Sequence, residues 1–253
     1  MWWKTLLGIV LLIVTGPILV AFSGEVDLKS HWRTASREST GIAPNPTEHP
    51  DAIVIVYAAR AYNWRGLFAV HTWIATKREN DKHYVVHDVV GFRGWRQQPV
   101  LGVNKDIPDR LWYGNKPKVV TMLSGPDAEP IIDKIFAVDE AYPYKHHYRM
   151  WPGPNSNTYT AYIGRTVPEL TMSLPPTAIG KDYLVKNKWM DKTHEGDGFQ
   201  FSLAGYTGIS IGKNTGIEVN VLGAVFGVDI FRPALKLPGI GRIGMSRTPD
   251  LTS

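Results

Sequence analysis

The sequence contains no cysteine, and this absence removes several classes of chemistry at once. Disulfide bonds, thiolate nucleophiles and cysteine-ligated metal sites are excluded, while the redox compartment stays open. The sequence also has no basic stripe and no recognised nucleic-acid-binding motif, because its net charge of +5 is spread along the chain. We therefore expect no nucleic-acid partner. A diffuse positive charge is compatible with a position near an anionic membrane surface.

The chain begins with an apolar run within residues 1–23. It extends from Leu6 to Phe22 and is just long enough to span a bilayer. A signal peptide cleaved near Ala21–Ser23 is the alternative, and we favour the uncleaved anchor. Positive residues lie on both sides of the run, so the charge rule does not set its orientation. In a bacterium we expect an inner-membrane anchor with the body of the protein facing the periplasm.

The rest of the chain divides by composition. Residues 24–51 mix charges with prolines and lack an apolar period, which predicts a tether. Residues 52–232 are predicted to form one α+β domain, with a core at 52–180 and a β-rich extension at 181–232. Residues 233–253, rich in proline and glycine, are predicted to be an extended tail.

The predicted fold is an antiparallel sheet packed with a few helices and preceded by one N-terminal membrane helix. Short β-branched runs predict the strands, and helical spacing of apolar residues predicts the helices. The predicted strands are Ala52–Tyr57, Leu67–Ala75, Tyr84–Val90 and Val119–Leu123, and the predicted helices are Asp127–Glu140 and a second one from the 155–159 region. In the glycine-rich stretch from 196 to 231, alternating residues predict two or three further strands, which either extend the central sheet or cover a cleft.

Two histidines lie in the predicted hairpin that follows the first strand. His71 and His87 each sit near the middle of a β-rich segment. In an antiparallel pair of strands, the residue numbers of two facing positions always add up to the same sum. If that sum is even, both histidines project from one face of the sheet. A slip of one residue would place Asp88 beside His71 instead. Either register puts a polar group next to His71 that could orient its ring.

A proline-rich loop then leads into a helix at Asn155-Ser156-Asn157. Serine or asparagine at this junction is a good helix N-cap. A hydroxyl at a helix N-terminus also lies beside free backbone N–H groups, in a field that favours negative charge. Ser156 is therefore either an ordinary residue of a capped helix or a nucleophile.

These residues resemble those of the circularly permuted NlpC/P60-like branch of the papain-like hydrolases. Those proteins have a catalytic histidine early on a strand, a second polar residue on the next strand, and a nucleophile much later at a helix start. The corresponding stretches here are His71-Thr72-Trp73-Ile74, then His87, then Asn155-Ser156-Asn157-Thr158-Tyr159. The resemblance covers residues 53–167 and implies Ser156 as nucleophile, His71 as base and His87 as the group that orients it. Asp88, Asn155, Asn157 and Trp73 are the associated binding candidates.

The body also resembles a bacterial family of unknown function, number 3750. Three stretches carry this resemblance: Val56–Arg60, Trp151–Thr158 and Pro175–Tyr183. It implies an association with the cell envelope and no established activity.

Ser156 stands where the papain-like hydrolases have cysteine, and this difference separates two hypotheses. A thiol forms an ion pair with histidine before substrate arrives, whereas serine must lose its proton to His71 during attack. The chain is therefore either a hydrolase or acyl transferase acting on an envelope amide or ester, or an inactive binding or assembly module. Its expected partners are the membrane and a peptidoglycan, lipid or envelope-protein ligand, without a cofactor.

A metal site is a third, weaker hypothesis. Its candidate ligands are His71, His87, Asp88, His146 and His147. The adjacent pair seldom aims both rings at one ion within regular structure, and no HExxH-type spacing is present. We therefore expect no metal.

Overall fold

The computed structural model describes residues 2–245, without the side chains of residues 5–7, 9 and 12. It contains two antiparallel sheets and four α-helices within that range. The predicted α+β class with antiparallel strands and few helices is confirmed. The helices are α1 (Trp2–Ser23), α2 (Gly91–Trp95), α3 (Ala128–Ala141) and α4 (Ser156–Thr166), and short 3-10 turns occupy Asn63–Leu67, Pro168–Leu170 and Val185–Asn187.

The first sheet has the strand order β4-β3-β2-β1-β5. Its strands are β1 (Ile53–Arg60), β2 (Val70–Lys77), β3 (Val85–Val89), β4 (Leu101–Lys105) and β5 (Lys118–Ser124). β1 lies between β2 and β5 and is buried along nearly its whole length, as its β-branched sequence predicts. Its side chains point alternately to the two faces of the sheet and therefore pack in two separate hydrophobic cores.

The two cores lie on opposite faces of this sheet. On one face, Val54, Val56 and Ile74 pack against α3 and α4. On the other face, Tyr57 and Trp73 pack against residues that are distant in sequence. Helices thus cover one face, and loops cover the other.

Part of that loop cover comes from residues 24–51, which were predicted to be a tether. Ala35 belongs to the second core, and the Tyr84 hydroxyl donates to the Pro44 carbonyl at 2.9 Å. The carboxylate of Asp109 accepts from the Ser39 hydroxyl at 2.7 Å and from the Ile42 N–H at 2.8 Å. Polar side-chain bonds hold the segment down, which explains why its sequence has no apolar period.

The second sheet is a meander with the order β12-β11-β10-β9-β8-β7-β6. Its strands are β6 (Met190–Lys192), β7 (Gly198–Leu203), β8 (Thr207–Gly212), β9 (Gly216–Val221), β10 (Ala224–Asp229), β11 (Ala234–Leu237) and β12 (Gly241–Gly244). It is a separate sheet and does not extend the first one. β11 and β12 lie in the predicted tail, so the described part of that tail is paired strand; residues 246–253 lie outside the described residues.

The apolar N-terminal run is helical as α1, which ends at Ser23. Near its C-terminal end, α1 packs on the turn between β11 and β12, where Gly16 and Pro17 lie against Pro238 and Gly239. Within the part of the chain that is described, no helix has the length and apolar character needed to cross a membrane.

Candidate functional site

Ser156 begins α4, where the sequence predicted a helix start. Asn155 is the N-cap, and its side chain accepts from the Thr158 N–H at 3.1 Å while its own N–H donates to the Thr158 hydroxyl at 3.1 Å. This reciprocal pair satisfies two backbone donors that the first turn would otherwise leave free. Two cis peptide bonds, Trp151-Pro152 and Gly153-Pro154, precede the cap.

Asn157 fastens the start of α4 to the strand that carries His71. Its amide donates to the Val70 carbonyl at 2.9 Å and to the Ile179 carbonyl at 2.8 Å. Its oxygen accepts from the Thr72 hydroxyl at 2.9 Å. Asn155 likewise donates to Ile179, at 3.0 Å. Both predicted binding asparagines thus use their side chains inside the protein.

His71 is buried near the start of β2 among aromatic rings. Its ring stacks on Trp112 with centroids 3.6 Å apart and planes 8° apart, and on Trp73 at 5.7 Å. Its Nε2 lies 2.9 Å from Oδ1 of Asp88, at an angle too bent for a good hydrogen bond. The contact is therefore an ion pair when the ring is protonated.

Asp88 is held from its other side by an arginine. Oδ2 of Asp88 accepts from the Arg110 guanidinium at 2.8 Å. Burial by itself raises the pKa of the Asp88 carboxyl, but the nearby His71 ring and the guanidinium groups of Arg110 and Arg93 outweigh burial and leave the pKa below its usual value. Asp88 therefore stays ionised inside the protein.

The hairpin adopts the register that places Asp88, not His87, beside His71. Ile74 faces His87 and Thr76 faces Val85, so the sum is odd. His87 consequently leaves the sheet on the face covered by the helices. The even register predicted for a His71–His87 pair does not occur, and His87 cannot orient His71.

His87 is a satisfied core residue. It is fully buried, and its Nδ1 lies 2.7 Å from the carboxylate of Asp139 on α3. Its Nε2 lies 2.9 Å from the Thr76 hydroxyl. The same carboxylate accepts from the Tyr159 hydroxyl of α4 at 2.5 Å. This network joins β2, β3, α3 and α4.

Ser156 and His71 are not joined in the structure. Thr72 bonds to α4, and His71 is its neighbour on β2, so the histidine side chain leaves the sheet on the opposite face. Among the described residues, the Ser156 hydroxyl makes no hydrogen bond to His71 or to any other side chain.

The candidate metal ligands do not converge. No group of three or more histidine, aspartate or glutamate side chains suited to a metal ion occurs within residues 2–245 as described. His146 and His147 are exposed, whereas His87 and His71 lie on opposite faces of the sheet.

Sequence reasoning did not identify Arg110 as a partner of Asp88 or Trp112 as a partner of His71. Both come from the irregular stretch between β4 and β5, and no local pattern shows which strand they cover. Sequence reasoning also left Lys181 and Asp182 without a role, although they close one of the stretches that carry the family resemblance. The side chains of Lys181 and Asp182 are both buried. Two adjacent charged residues with few polar neighbours in the sequence are the signal that could have indicated a buried charged pair.

Comparison with known proteins places the chain in one family. The family described as protein of unknown function (DUF3750) matches residues 51–183, slightly more than half of the chain. The matched region covers the first sheet, both helices packed on it and the loop up to Tyr183. No curated protein and no solved structure matches the chain. The chain therefore belongs to the DUF3750 family of proteins of unknown function.

Proposed function

We propose that this protein is a membrane-attached module of the bacterial cell envelope that binds or assembles and does not catalyse. The body faces the periplasm and helix α1 holds it at the inner membrane. Its ligand classes are a lipid, peptidoglycan or another envelope protein. The scaffold is derived from a permuted NlpC/P60-like, papain-like ancestor, and the order of His71, Asp88 and Ser156 along the chain supports this origin.

One observation carries the non-catalytic part of the proposal. The ring of His71 is stacked on Trp112 and engaged with Asp88, and it makes no hydrogen bond to Ser156 among the described residues. A general base must reach the hydroxyl proton of its nucleophile at roughly 3 Å, allowing some looseness in a free enzyme. A serine needs this base more than a cysteine does, because its hydroxyl is far less acidic.

The second candidate is a serine hydrolase or acyl transferase, and one contact favours it. A carboxylate beside one ring nitrogen of a histidine is the arrangement that orients a catalytic base. Asp88 occupies that place next to His71 at 2.9 Å. His71 would have to leave Trp112 and be carried to the other face of the sheet, which requires a rearrangement of β2, before its ring could reach the start of α4.

A serine-reactive fluorophosphonate probe separates the two candidates. The wild-type protein, Ser156→Ala and Ser124→Ala are treated side by side and labelling is measured by intact mass. Ser124 is the matched control because it is exposed at the end of β5. We expect equal, background labelling of all three proteins. Labelling of wild type and Ser124→Ala that disappears in Ser156→Ala would overturn the non-catalytic proposal in favour of the hydrolase.

A further inference from the structure

The second sheet has its polarity reversed. An antiparallel sheet of a water-soluble protein normally buries its apolar face and exposes its polar one. Here the apolar side chains of neighbouring strands face one another on the outer surface, as in the pairs Phe199–Ile211, Ile209–Val219 and Val228–Leu235. Ten of these side chains are 38–53% exposed: Phe199, Leu203, Ile209, Ile211, Ile217, Val219, Val221, Val228, Leu235 and Ile243.

The inner face of the same sheet is polar and buried. It carries Gln200, Ser202, Ser210, Glu218, Asn220, Asp229 and Lys236, each at most 4% exposed. Buried polar groups need partners, and this face has them. Glu218 is bound by the ammonium groups of Lys181 and Lys236, and Gln200 donates to Asp182 at 2.5 Å.

These buried partners determine which face of the sheet points outward. Rotating the sheet, or slipping a strand by one residue, would strip Glu218 of its two lysines and bury apolar side chains against charges. Arg165 of α4 adds a further tie by donating to Gln200 at 2.5 Å. The outward direction of the apolar face is thus a stable property of the fold.

Ten exposed apolar side chains on one face of a sheet call for an occupant, because large exposed apolar patches usually mark a protein or membrane contact. The neighbouring helix indicates which one. α1 also exposes apolar side chains, namely Val10, Leu11, Val14, Ile18 and Leu19. Its Gly16 and Pro17 lie directly against the turn that joins β11 and β12. The two apolar surfaces therefore belong to adjoining parts of the molecule.

The charge beside this junction fits a lipid surface. A cleft of about 750 Å³ lies between the end of α1, the first sheet and the β11–β12 hairpin. Three of the basic side chains that line it are already bound by carboxylates: Lys236 by Glu218, Arg242 by Asp229 and Arg60 by Glu25. Lys116 and Lys118 also line the cleft, and both are exposed. Exposed lysines next to an apolar surface match anionic headgroups above acyl chains.

We propose that the outer face of the second sheet lies against the acyl region of a lipid bilayer, beside α1. This inference deepens the proposed function, since it rests on attachment to a membrane and names the surface that makes the contact. The body would then lie flat on the bilayer and not hang from it on a tether. The packing of residues 24–51 on the first sheet agrees with such a short connection.

Spin labels test this contact directly, because the chain has no native cysteine. Single variants Ile209→Cys, Val219→Cys and Leu235→Cys carry a nitroxide on the outer face. Asp81→Cys, in the exposed turn between β2 and β3, is the matched control. The full chain is reconstituted into vesicles of phosphatidylethanolamine and phosphatidylglycerol. Relaxation of each label by oxygen, which concentrates in lipid, and by a water-soluble nickel chelate is then measured, and flotation checks attachment.

In the vesicles we expect the three outer-face labels to gain access to oxygen and lose access to the chelate, while the label at Asp81→Cys stays open to the chelate. Outer-face labels that stay open to the chelate in protein that floats would overturn this inference and leave the attachment intact. Labels closed to both reagents, with spin–spin broadening, would overturn it in favour of a second copy. Protein that fails to float would overturn the proposed attachment itself. Circular dichroism of each labelled variant, unchanged from wild type, shows that the labels have not disturbed the fold.

Discussion

At the scale of single residues, the alternation of a strand decides which histidine has which environment. His71 and His87 look alike in sequence, each a lone histidine among apolar neighbours. His71 faces Trp112 and Asp88, whereas His87 faces Asp139 and the helices. The register of the β2–β3 hairpin produces this difference. A shift of one residue would have placed both histidines on the same face of the sheet. Local sequence permits both registers, and packing on two sides selects one.

Glu218 gives a prediction at the same scale. Burial raises the pKa of its carboxyl, but Lys181 and Lys236 outweigh burial and lower the pKa from 4.5 to about 2. A carboxyl whose pKa falls on folding stabilises the native state above its unfolded pKa. That contribution, about 3 kcal/mol at most for a shift of this size, is lost as the pH falls from 4.5 through about 2.

We therefore expect Glu218→Gln to be less stable than wild type at pH 7 and to approach it as the pH falls towards 2. The free energy of unfolding is measured with guanidinium by near-ultraviolet circular dichroism at a series of pH values. Glu48→Gln, an exposed glutamate in the 24–51 segment, is the control and should follow the wild-type curve. Curves for Glu218→Gln and wild type that stay parallel across this range would contradict the prediction.

At the scale of elements, the start of α4 illustrates a local pattern with a non-local consequence. The N-cap is a short-range feature, and the sequence predicts a serine or asparagine in that place. The structure assigns it to Asn155, with Thr158 completing a capping box. The second bonds of Asn155 and Asn157, to Ile179, join α4 to the loop before the second sheet. These asparagines are therefore structural ties. Their role as binding residues stays a prediction of the family resemblance.

Residues 24–51 allow a prediction about an element without regular structure. Asp109 is 1% exposed and its carboxylate accepts from Ser39, Ile42 and Ala43. Hydrogen bonds to a charged group contribute about 1.5–3 kcal/mol each. We expect Asp109→Ala to speed amide hydrogen exchange across 39–43 by roughly 10- to 100-fold, because this segment would open locally without that carboxylate.

Hydrogen exchange followed by mass spectrometry checks this. Asp106→Ala is the control, since Asp106 is exposed and lies three residues away in the same loop. Its exchange across 39–43 should match wild type. If Asp109→Ala leaves the exchange of this segment unchanged, the carboxylate does not hold the segment, and residues 24–51 are better described as a tether.

At the scale of the whole molecule, α1 and the second sheet meet at one close contact. A Cβ on Gly16 would lie 2.0 Å from the Pro238 carbonyl oxygen, whereas a Cβ on Gly8 would meet no described atom within 4 Å. Backbone cannot yield at 2.0 Å, so a larger residue at position 16 must push the helix off the turn.

We expect Gly16→Val to broaden the distance distribution between nitroxides at Val14→Cys and Lys213→Cys, measured by double electron–electron resonance in vesicles. The cause would be loss of a fixed angle between α1 and the sheet. Gly8→Val should leave a narrow distance distribution, like that of the labelled protein that keeps both Gly8 and Gly16. Equally narrow distributions in all three proteins would show that the contact does not set the position of α1.

Much of the molecule follows from the sequence by itself. Composition excluded thiol chemistry. Local patterns predicted the helical N-terminal run, the strands β1, β2, β3 and β5, the helices α3 and α4, and a serine or asparagine cap where α4 begins. These features depend on residues within one or two turns of each other, so short-range propensity and periodicity are sufficient. The alternation in the second sheet was also visible in the sequence.

The tertiary structure alone decided which face of that second sheet is buried. Alternation is symmetric, and the general rule would turn the apolar side chains inward. Lys181, Asp182 and Arg165 instead bind the polar set on the inner face, from positions 18 to 37 residues away in the chain. The same holds for His71, since Trp112 and Arg110 reach it from a loop with no regular pattern. Charged and aromatic partners that meet only after folding leave no mark in local sequence, because their pairing depends on the path of the whole chain.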